Sequence, residues 1–453
     1  MQTFALTTLG CKVNQYESQQ IRQLLVEFGL TQTNLKGRPD MVIVNSCCVT
    51  HSASAKSRQI IKRAKRLNPH ALIVLCGCLA AISFDEALDK NDNVCIVKDK
   101  SNLASTLRNI IFERKSAATL HLPNTHIYET IKTENSHKIK SKKNLDNNLA
   151  LGPLRSFEGH TRAFLKIQDG CDGYCSYCII PRARPYVHCK KFVNVIEEAR
   201  ALVDSGHKEI VLTGVFLGAY GQDTVIRKKW PGRRNEKLAE LLAELAQVEG
   251  LQRIRLSSLE PGDVTKLLLD VFCNYRNIMP HLHLSLQSGS DEVLRRMRRQ
   301  YTAGKFEQVV EKVKERLQVP AITADIIVGF PGETEEDFEK TLIMAEKTGF
   351  SKMHVFPFSV REGTAAAKMQ GLVNTKVMKK RAERMHQLDQ KLQREFRQLF
   401  VNKEVTVLME GSEYGRCERY FKVYVNDKSL KANDLVKVRI TGDGKDGAVG
   451  QLK

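Results

Sequence analysis

The 453-residue chain reads as an α/β protein with three parts: an N-terminal doubly wound parallel sheet, a central partial (β/α) barrel, and a small C-terminal antiparallel β-barrel. Three observations predict this. Apolar, β-branched runs alternate with amphipathic helical periods over residues 1–115, as parallel sheets require. The same strand–helix rhythm repeats many times over 157–387, the pattern of a parallel barrel. From 388 to 453, short strands between glycines take over.

In order, TFALTTLG, MVIVNSC and ALIVLCGC read as the first strands, with ESQQIRQLLVEFGL and SAKSRQIIKRAKRLN as helices between them, stopped at Gly29 and Pro69. Residues 116–156 lose the apolar period: THIYETIKTENSHKIKSKKNLDNN is polar and lysine-rich, and reads as a linker or exposed insertion. RAFLKIQ, EIVLTG, RIRLSS, HLHLSLQ, ITADIIVGF and KMHVFPF are six strand candidates of the second folded part. Helical stretches such as VNVIEEARALVDSG, NEKLAELLAELAQ and AGKFEQVVEKVKERL lie among them. The third part opens with helical KLQREFRQLF; EVTVLM, FKVYVN, LVKVRIT and AVGQLK follow, punctuated by Gly411, Gly415, Gly442 and Gly444.

Hydrophobic residues make up 42 % of the chain, which excludes a disordered protein. No run approaches the roughly 20 apolar residues of a membrane span, and MQTFALTTLGCK lacks the regions of a secretory signal. A soluble, cytoplasmic protein that does not enter a membrane is expected. The formal net charge of +20 favours polyanions as partners, nucleic acid first among them.

Twelve cysteines in a long chain without a secretion signal argue for metal or redox chemistry in their clusters, not for a disulfide framework. The strongest cluster is Cys171-Asp172-Gly173-Tyr174-Cys175-Ser176-Tyr177-Cys178, directly after the strand RAFLKIQ. This C-x3-C-x2-C loop lies where parallel barrels place their chemistry. Three thiolates bind three irons of a four-iron, four-sulfur cluster and leave the fourth open. A structural zinc site completed by His188 or Cys189 is the alternative. Polar groups recur at the following strand ends: Thr213 and Gly214, Ser257 and Glu260, Gln287, and Asp325. Singly each is a cap or turn residue; together they suggest one concave polar site.

Cys11, Cys47 and Cys78 follow the first three strands, and a doubly wound sheet binds ligands beyond its strands' carboxyl ends. They read either as a second trio for a cluster or as three buried strand-end cysteines. Cys48 and Cys76 are neighbours that blur the assignment; Cys76 falls within an apolar run, and Cys78 follows Gly77 in a turn.

C-x3-C-x-aromatic-C resembles the signature of the radical S-adenosylmethionine (SAM) superfamily. LGCKVNQYES, NSCCVT and CGCLA resemble the N-terminal domain of the methylthiotransferase family, as do SSLEP, QSGS, DIIVGFPGE and FPFSVREGT elsewhere. The likeness spans almost the whole chain except the linker. It implies a methylthiotransferase cluster domain (1–115), a radical SAM barrel (157–387) and a TRAM-like RNA-binding barrel (388–453). Two four-iron, four-sulfur clusters are implied, at Cys171/Cys175/Cys178 and at Cys11/Cys47/Cys78, with SAM near Thr213, Gly214, Ser257, Glu260, Gln287 and Asp325. The implied reaction cleaves one SAM to a 5′-deoxyadenosyl radical and takes a methyl group from another. LGCKVNQYES and TGVFLGAYG point to the branch that methylthiolates carbon 2 of N6-threonylcarbamoyladenosine beside the tRNA anticodon. Sister branches act on isopentenyladenosine in tRNA or on a ribosomal-protein aspartate; a non-enzymatic iron–sulfur RNA-binding protein is the reading from another class. tRNA and an electron donor such as flavodoxin or ferredoxin are the implied partners, and the sulfur donor is left open. Arg416, Arg419, Tyr420, Lys422 and Tyr424 mix basic and aromatic character as RNA binding requires. Phe216 (for asparagine), Pro185 (for glycine), Cys48 (for threonine) and a long basic linker depart from the family pattern.

Overall fold

The computed structural model describes residues 1–82, 93–120, 151–230 and 236–453, with the side chains of 113–120 excepted. The core of the 116–156 linker therefore lies outside the described residues. The chain forms two compact units: Met1–Leu154 with Arg182–Pro185, and Arg155–Pro181 with Tyr186–Lys453.

Unit 1 runs β1 (Thr3–Thr8), α1 (Lys12–Glu27), β2 (Thr31–Gln32), β3 (Met41–Ser46), α2 (His51–Leu67), β4 (Leu72–Gly77), α3 (Cys78–Ile82), β5 (Val94–Ile96) and α4 (Leu103–Leu120). All pairings are parallel, in the order β2-β1-β3-β4-β5, one of the two common doubly wound orders. Period-2 alternation sends Phe4, Ile43 and Val74 to one face, where they pack with Ile21 and Leu25 of α1 and Leu107 and Ile110 of α4. Val42, Val44, Ile73 and Leu75 pack with Ile61 and Ala64 of α2 on the other. Each such buried side chain contributes about 1.5–3 kcal/mol. The first helix starts earlier than ESQQ suggests, directly at Lys12, so that Cys11 is its N-cap. Cys78 is not in a turn: Gly77 makes the turn and Cys78 opens α3. At the other end, Leu151, Gly152 and Pro153 belong to unit 1, their carbonyls accepting from Gln20 and Gln23.

Unit 2 holds β6 (Arg162–Asp169), the edge strand β7 (His188–Cys189), α5 (Phe192–Asp204), β8 (Glu209–Gly214), α6 (Lys237–Leu245), β9 (Arg253–Leu256) and α7 (Lys266–Asn274). It continues with β10 (His281–His283), α8 (Asp291–Arg296), α9 (Ala303–Arg316), β11 (Ala321–Val328), α10 (Glu335–Thr348), β12 (Lys352–Pro357) and α11 (Thr375–Gln398). Six strands pair in parallel in the order β6-β8-β9 and β10-β11-β12. Parallel bridges Ile254↔Ile278 and Leu259↔Leu284 join the two halves into a partial barrel. Helix α11 continues unbroken past position 388; Met353 donates to Asp389 halfway along it, and Phe396 at its end enters the core of the last barrel. That barrel closes as β13-β14-β15-β17-β16, from β13 (Glu404–Met409), β14 (Tyr414–Cys417), β15 (Lys422–Val425), β16 (Leu435–Asp443) and β17 (Ala448–Leu452). It is not wholly antiparallel as expected: β15 and β17 pair in parallel, because β16 crosses to the far side of β13 before the chain returns.

Candidate functional site

In unit 1, the three strand-end cysteines each precede or open a helix. Cys11 caps α1, Cys47 lies three residues before Thr50, the N-cap of α2, and Cys78 is the first residue of α3. Backbone N–H groups at a helix start favour a thiolate there. Two glycines let the edge close. Gly10, at φ 104°, would carry a Cβ only 2.9 Å from Cys47 Sγ, and one on Gly77 would meet Ser46 O at 2.5 Å. Both occupy left-handed backbone that L side chains avoid.

The three thiols are electrostatic neighbours. Burial pushes the Cys47 thiol up, and those of Cys78 and Cys11 add to the rise against an opposing Val49 amide. The Cys78 thiol is instead lowered to about 5, first by a hydrogen bond with the Cys48 thiol; burial opposes this, and Arg184 and Lys100 support it. Arg184 is the residue that sequence reasoning missed. Its Nε donates to Cys78 Sγ at 3.4 Å, its Nη1 and Nη2 to Glu17 at 2.8 and 3.0 Å, and Nη2 also to Asn14 Oδ1 at 3.0 Å. Lys100 completes the pairing of buried Glu17 at 2.6 Å. Asn14 in turn bonds Leu9 O and Ser46 O, tying the first two strand ends together. Cys76, by contrast, is sealed in the core with its thiol pushed up to about 12 by burial.

In unit 2, the loop after β6 is pinned on both sides. Ser176 N donates to Met297 O, Ser176 Oγ to Arg296 O, and Ala366 N to Ser176 O. Tyr177 packs against Val293, Met297 and Phe330. Asp172 accepts from Thr224 Oγ1 at 2.7 Å and Val225 N at 2.8 Å. Burial pushes the Cys171 thiol up to about 12, with Cys178 and Cys175 beside it adding to the shift. The Gly173 amide donates to Cys171 Sγ at 3.3 Å. Arg299, 7 % exposed, donates to Cys175 Sγ and to Tyr177 Oη at 3.2 Å each, to Tyr301 Oη at 3.2 Å and to Glu260 at 2.5 Å.

Of the polar residues expected at the strand ends, Thr213, Gly214, Ser257, Glu260 and Gln287 lie at or just beyond them, with varied roles, whereas Asp325 does not follow its strand but lies inside it. Thr213 and Gly214 end β8 against the Gln168 side chain, whose Oε1 accepts from Phe216 N at 2.7 Å. Both oxygens of Glu260 are taken, by Arg299 and by Arg227 at 2.6 Å; Arg227 also holds Asp263 at 2.7 Å. Ser257 Oγ is buried and has no hydrogen-bond partner among the described residues. Gln287 sits at φ 65°, strained for a residue with a side chain, and bridges β11 at Ile326. Asp325 lies within β11 and faces His283 Nε2 at 3.2 Å. Phe216, where a polar residue was expected, puts its ring under the Arg227 guanidinium at 5.6 Å.

The residues present fit a cluster. Among the described residues, no group of three or more His, Cys, Asp or Glu is placed to hold one metal ion. Both candidates for a fourth zinc ligand are engaged otherwise: Cys189 Sγ accepts from Gly221 N at 3.2 Å and bonds Ala219 O, and His188 Nδ1 faces Tyr186 O. What remains at each edge is three unbridged thiols, with N–H donors aimed at sulfur. Donors of that kind stabilise cluster-bound thiolates.

Residues 165–345 match the family model described as the Radical SAM superfamily, and residues 3–99 the one described as Uncharacterized protein family UPF0004. The chain is 36 % identical, over its full length and 96 % of the relative's, to the Bacillus subtilis protein named threonylcarbamoyladenosine tRNA methylthiotransferase MtaB. The chain belongs to the radical SAM methylthiotransferase family. A Thermotoga maritima protein of the same name is 35 % identical over 99 % of this chain and 96 % of its own. At 30 % identity, covering 97 % of this chain and 83 % of the relative, stands a Corynebacterium efficiens protein named tRNA-2-methylthio-N(6)-dimethylallyladenosine synthase. The fold is shared with the radical SAM methyltransferase TsrM of Kitasatospora setae, at a TM-score of 0.51 and 13 % identity over 79 % of this chain and 75 % of that one. As a radical SAM methylthiotransferase, the enzyme works with SAM and two four-iron, four-sulfur clusters.

One expectation for RNA binding is corrected. Tyr420 is half-buried and engaged within the fold: its ring stacks on His281 at 4.7 Å and lies under Arg162, Arg255 and Arg416 at 4.8–5.0 Å. Arg416 is bonded to Glu410 and to Tyr420 O, and Arg419 to Val319 O and Gln318 O. Tyr420 adopts φ 72°, a turn geometry that folds the segment inward. Lys422 keeps the expected character, its Nζ 3.9 and 4.2 Å from the rings of half-buried Tyr414 and Tyr424.

Proposed function

We propose that this protein methylthiolates carbon 2 of N6-threonylcarbamoyladenosine beside the anticodon of tRNA. One observation carries the reading: two trios of cysteines at the strand ends of two parallel sheets, each with a buried arginine donating to one thiol. Full-length identity of 35–36 % to two proteins named for this reaction supports the choice of nucleoside. In this reading Cys171, Cys175 and Cys178 hold the cluster that cleaves SAM, and Cys11, Cys47 and Cys78 hold the second. Residues 1–115, 157–387 and 388–453 act as cluster domain, catalytic barrel and RNA-binding barrel, with 116–156 between them. A flavodoxin or ferredoxin supplies electrons.

The chemistry demands such equipment. The adenine C2–H bond is not acidic and carries no leaving group, so acid–base catalysis has little purchase on it. Bound SAM and the clusters supply the radical and the methylated sulfur. The chain's own residues do the rest. Arg299 fixes Cys175 and is itself fixed by Glu260, so the loop keeps its geometry when electrons arrive. Ser257 Oγ offers at the rim a hydroxyl that no other described residue engages, and Gln287 is held in the strained conformation found at functional sites. Arg184 Nε donates to Cys78 Sγ, a contact that favours the thiolate, the form that binds iron.

Mass spectrometry of tRNA nucleosides from cells lacking the gene tests the substrate. N6-threonylcarbamoyladenosine should accumulate without its methylthio group. Loss of that group from isopentenyladenosine instead would assign the sister activity, and an unchanged nucleoside profile would overturn the proposal.

A further inference from the structure

Helix α2 of unit 1 carries Lys56, Arg58, Lys62, Arg63, Lys65 and Arg66 and, from His51 to Leu67, no acidic residue. Its inward side is Ser54, Ser57, Ile61 and Ala64, a stripe at helical spacing that packs on the sheet. The six cations occupy the rest of the circumference, all exposed or half-exposed. None forms an ion pair or hydrogen bond with another side chain among the described residues. Helix α11 carries eight basic residues but is differently built: it has three acidic residues of its own, and its Arg381, Arg384 and Lys391 pair with Glu333, Glu335, Glu339 and Glu346. On α2 the like charges Arg58/Lys62, Lys62/Arg66 and Arg63/Arg66, three or four residues apart, repel one another with nothing set against them. Such a face is stabilised by an anion from outside.

We propose that the outward face of α2 binds the phosphate backbone of the RNA substrate; this rests on the reading of tRNA as that substrate. The helix begins four residues after Cys47, so the basic face leads away from the sheet edge where the first cysteine trio lies. From Lys56 to Arg66 it extends about 15 Å, room for several consecutive phosphates of one strand. The composition also argues against a protein partner. Interface centres need large apolar or aromatic anchors, and α2 exposes none.

The test is tRNA binding by the full-length protein, measured by fluorescence anisotropy over a salt series, for wild type and K56A/K62A/R66A. Alanine preserves helix propensity, and circular dichroism checks that the fold is kept. The expected result is a drop of about tenfold in affinity at low salt and a salt slope smaller by roughly two to three. K56R/K62R should bind as wild type does. K266A/K305A/K312A, which removes three cations from α7 and α9, should keep the wild-type slope. An unchanged slope in K56A/K62A/R66A would overturn the proposal, and so would a defect confined to reduction by flavodoxin, which would make α2 a protein-docking face. If the wild-type chain itself showed no salt-dependent affinity for tRNA, the substrate reading would fall instead.

Discussion

Arg299 shows how much one side chain decides. It is buried, its charge is balanced by Glu260, and yet one N–H points at Cys175 Sγ. A donor on a cluster-bound sulfur stabilises the more negative, reduced state, so it raises the reduction potential. Removing the donor and removing its counter-ion should therefore act in opposite directions. R299M is expected to shift the one-electron equilibrium about tenfold toward the oxidised cluster, ~59 mV, and E260Q to shift it the other way. Electron paramagnetic resonance during redox titration reads both. Mere loosening of the loop would move both variants in the same direction, and that outcome would count against the role.

At the scale of elements, the floor of the catalytic barrel and the C-terminal barrel share one buried polar network. Arg253 donates to Thr406 O and Arg416 O, and Arg255 to Cys417 O, Glu418 O and Glu209. Burial pushes the Glu209 carboxyl up, but Arg255, Arg162 and Arg253 together outweigh it and hold the group below its ordinary range. A depressed carboxyl stabilises the fold above its unfolded value, about 4.3, and that contribution is lost as pH falls through the folded value. Melting temperature should thus fall steeply below about pH 4. E209Q should lower it at pH 7, by an amount matching about 3–5 kcal/mol for a broken buried pair, and flatten the acid limb. A melting curve unchanged by E209Q would show that the network contributes nothing net.

Most of the strands were legible in the sequence because hydrophobic period survives translation into burial, whereas their order was not. That Cys11, Cys47 and Cys78 follow strands and come near one another was legible because strand ends converge by topology. Arg184 and Tyr420 were not. Arg184 meets Glu17 across 167 residues and Tyr420 meets Arg162 across 258, and no local pattern encodes such pairs. For Tyr420, basic and aromatic neighbours looked like an RNA platform, and only a left-handed turn sends them inward.

At the scale of the whole molecule, an excess of 71 basic over 51 acidic residues accompanies a chain with no helix, among the described residues, long and apolar enough to cross a membrane. The charge is distributed unevenly: on α11 Arg381 and Arg384 are paired with carboxylates, while α2 carries six cations and no acidic residue. The chemistry rests on six thiols in two groups. The most direct measurement is iron content and absorption after anaerobic reconstitution of the full chain and of C11A/C47A/C78A and C171A/C175A/C178A. The wild type should hold about eight irons and each triple variant about four. 5′-Deoxyadenosine should form in the wild type and cease in C171A/C175A/C178A. A colourless wild-type chain that binds zinc in place of iron, or a triple variant that keeps the full complement, would contradict the assignment.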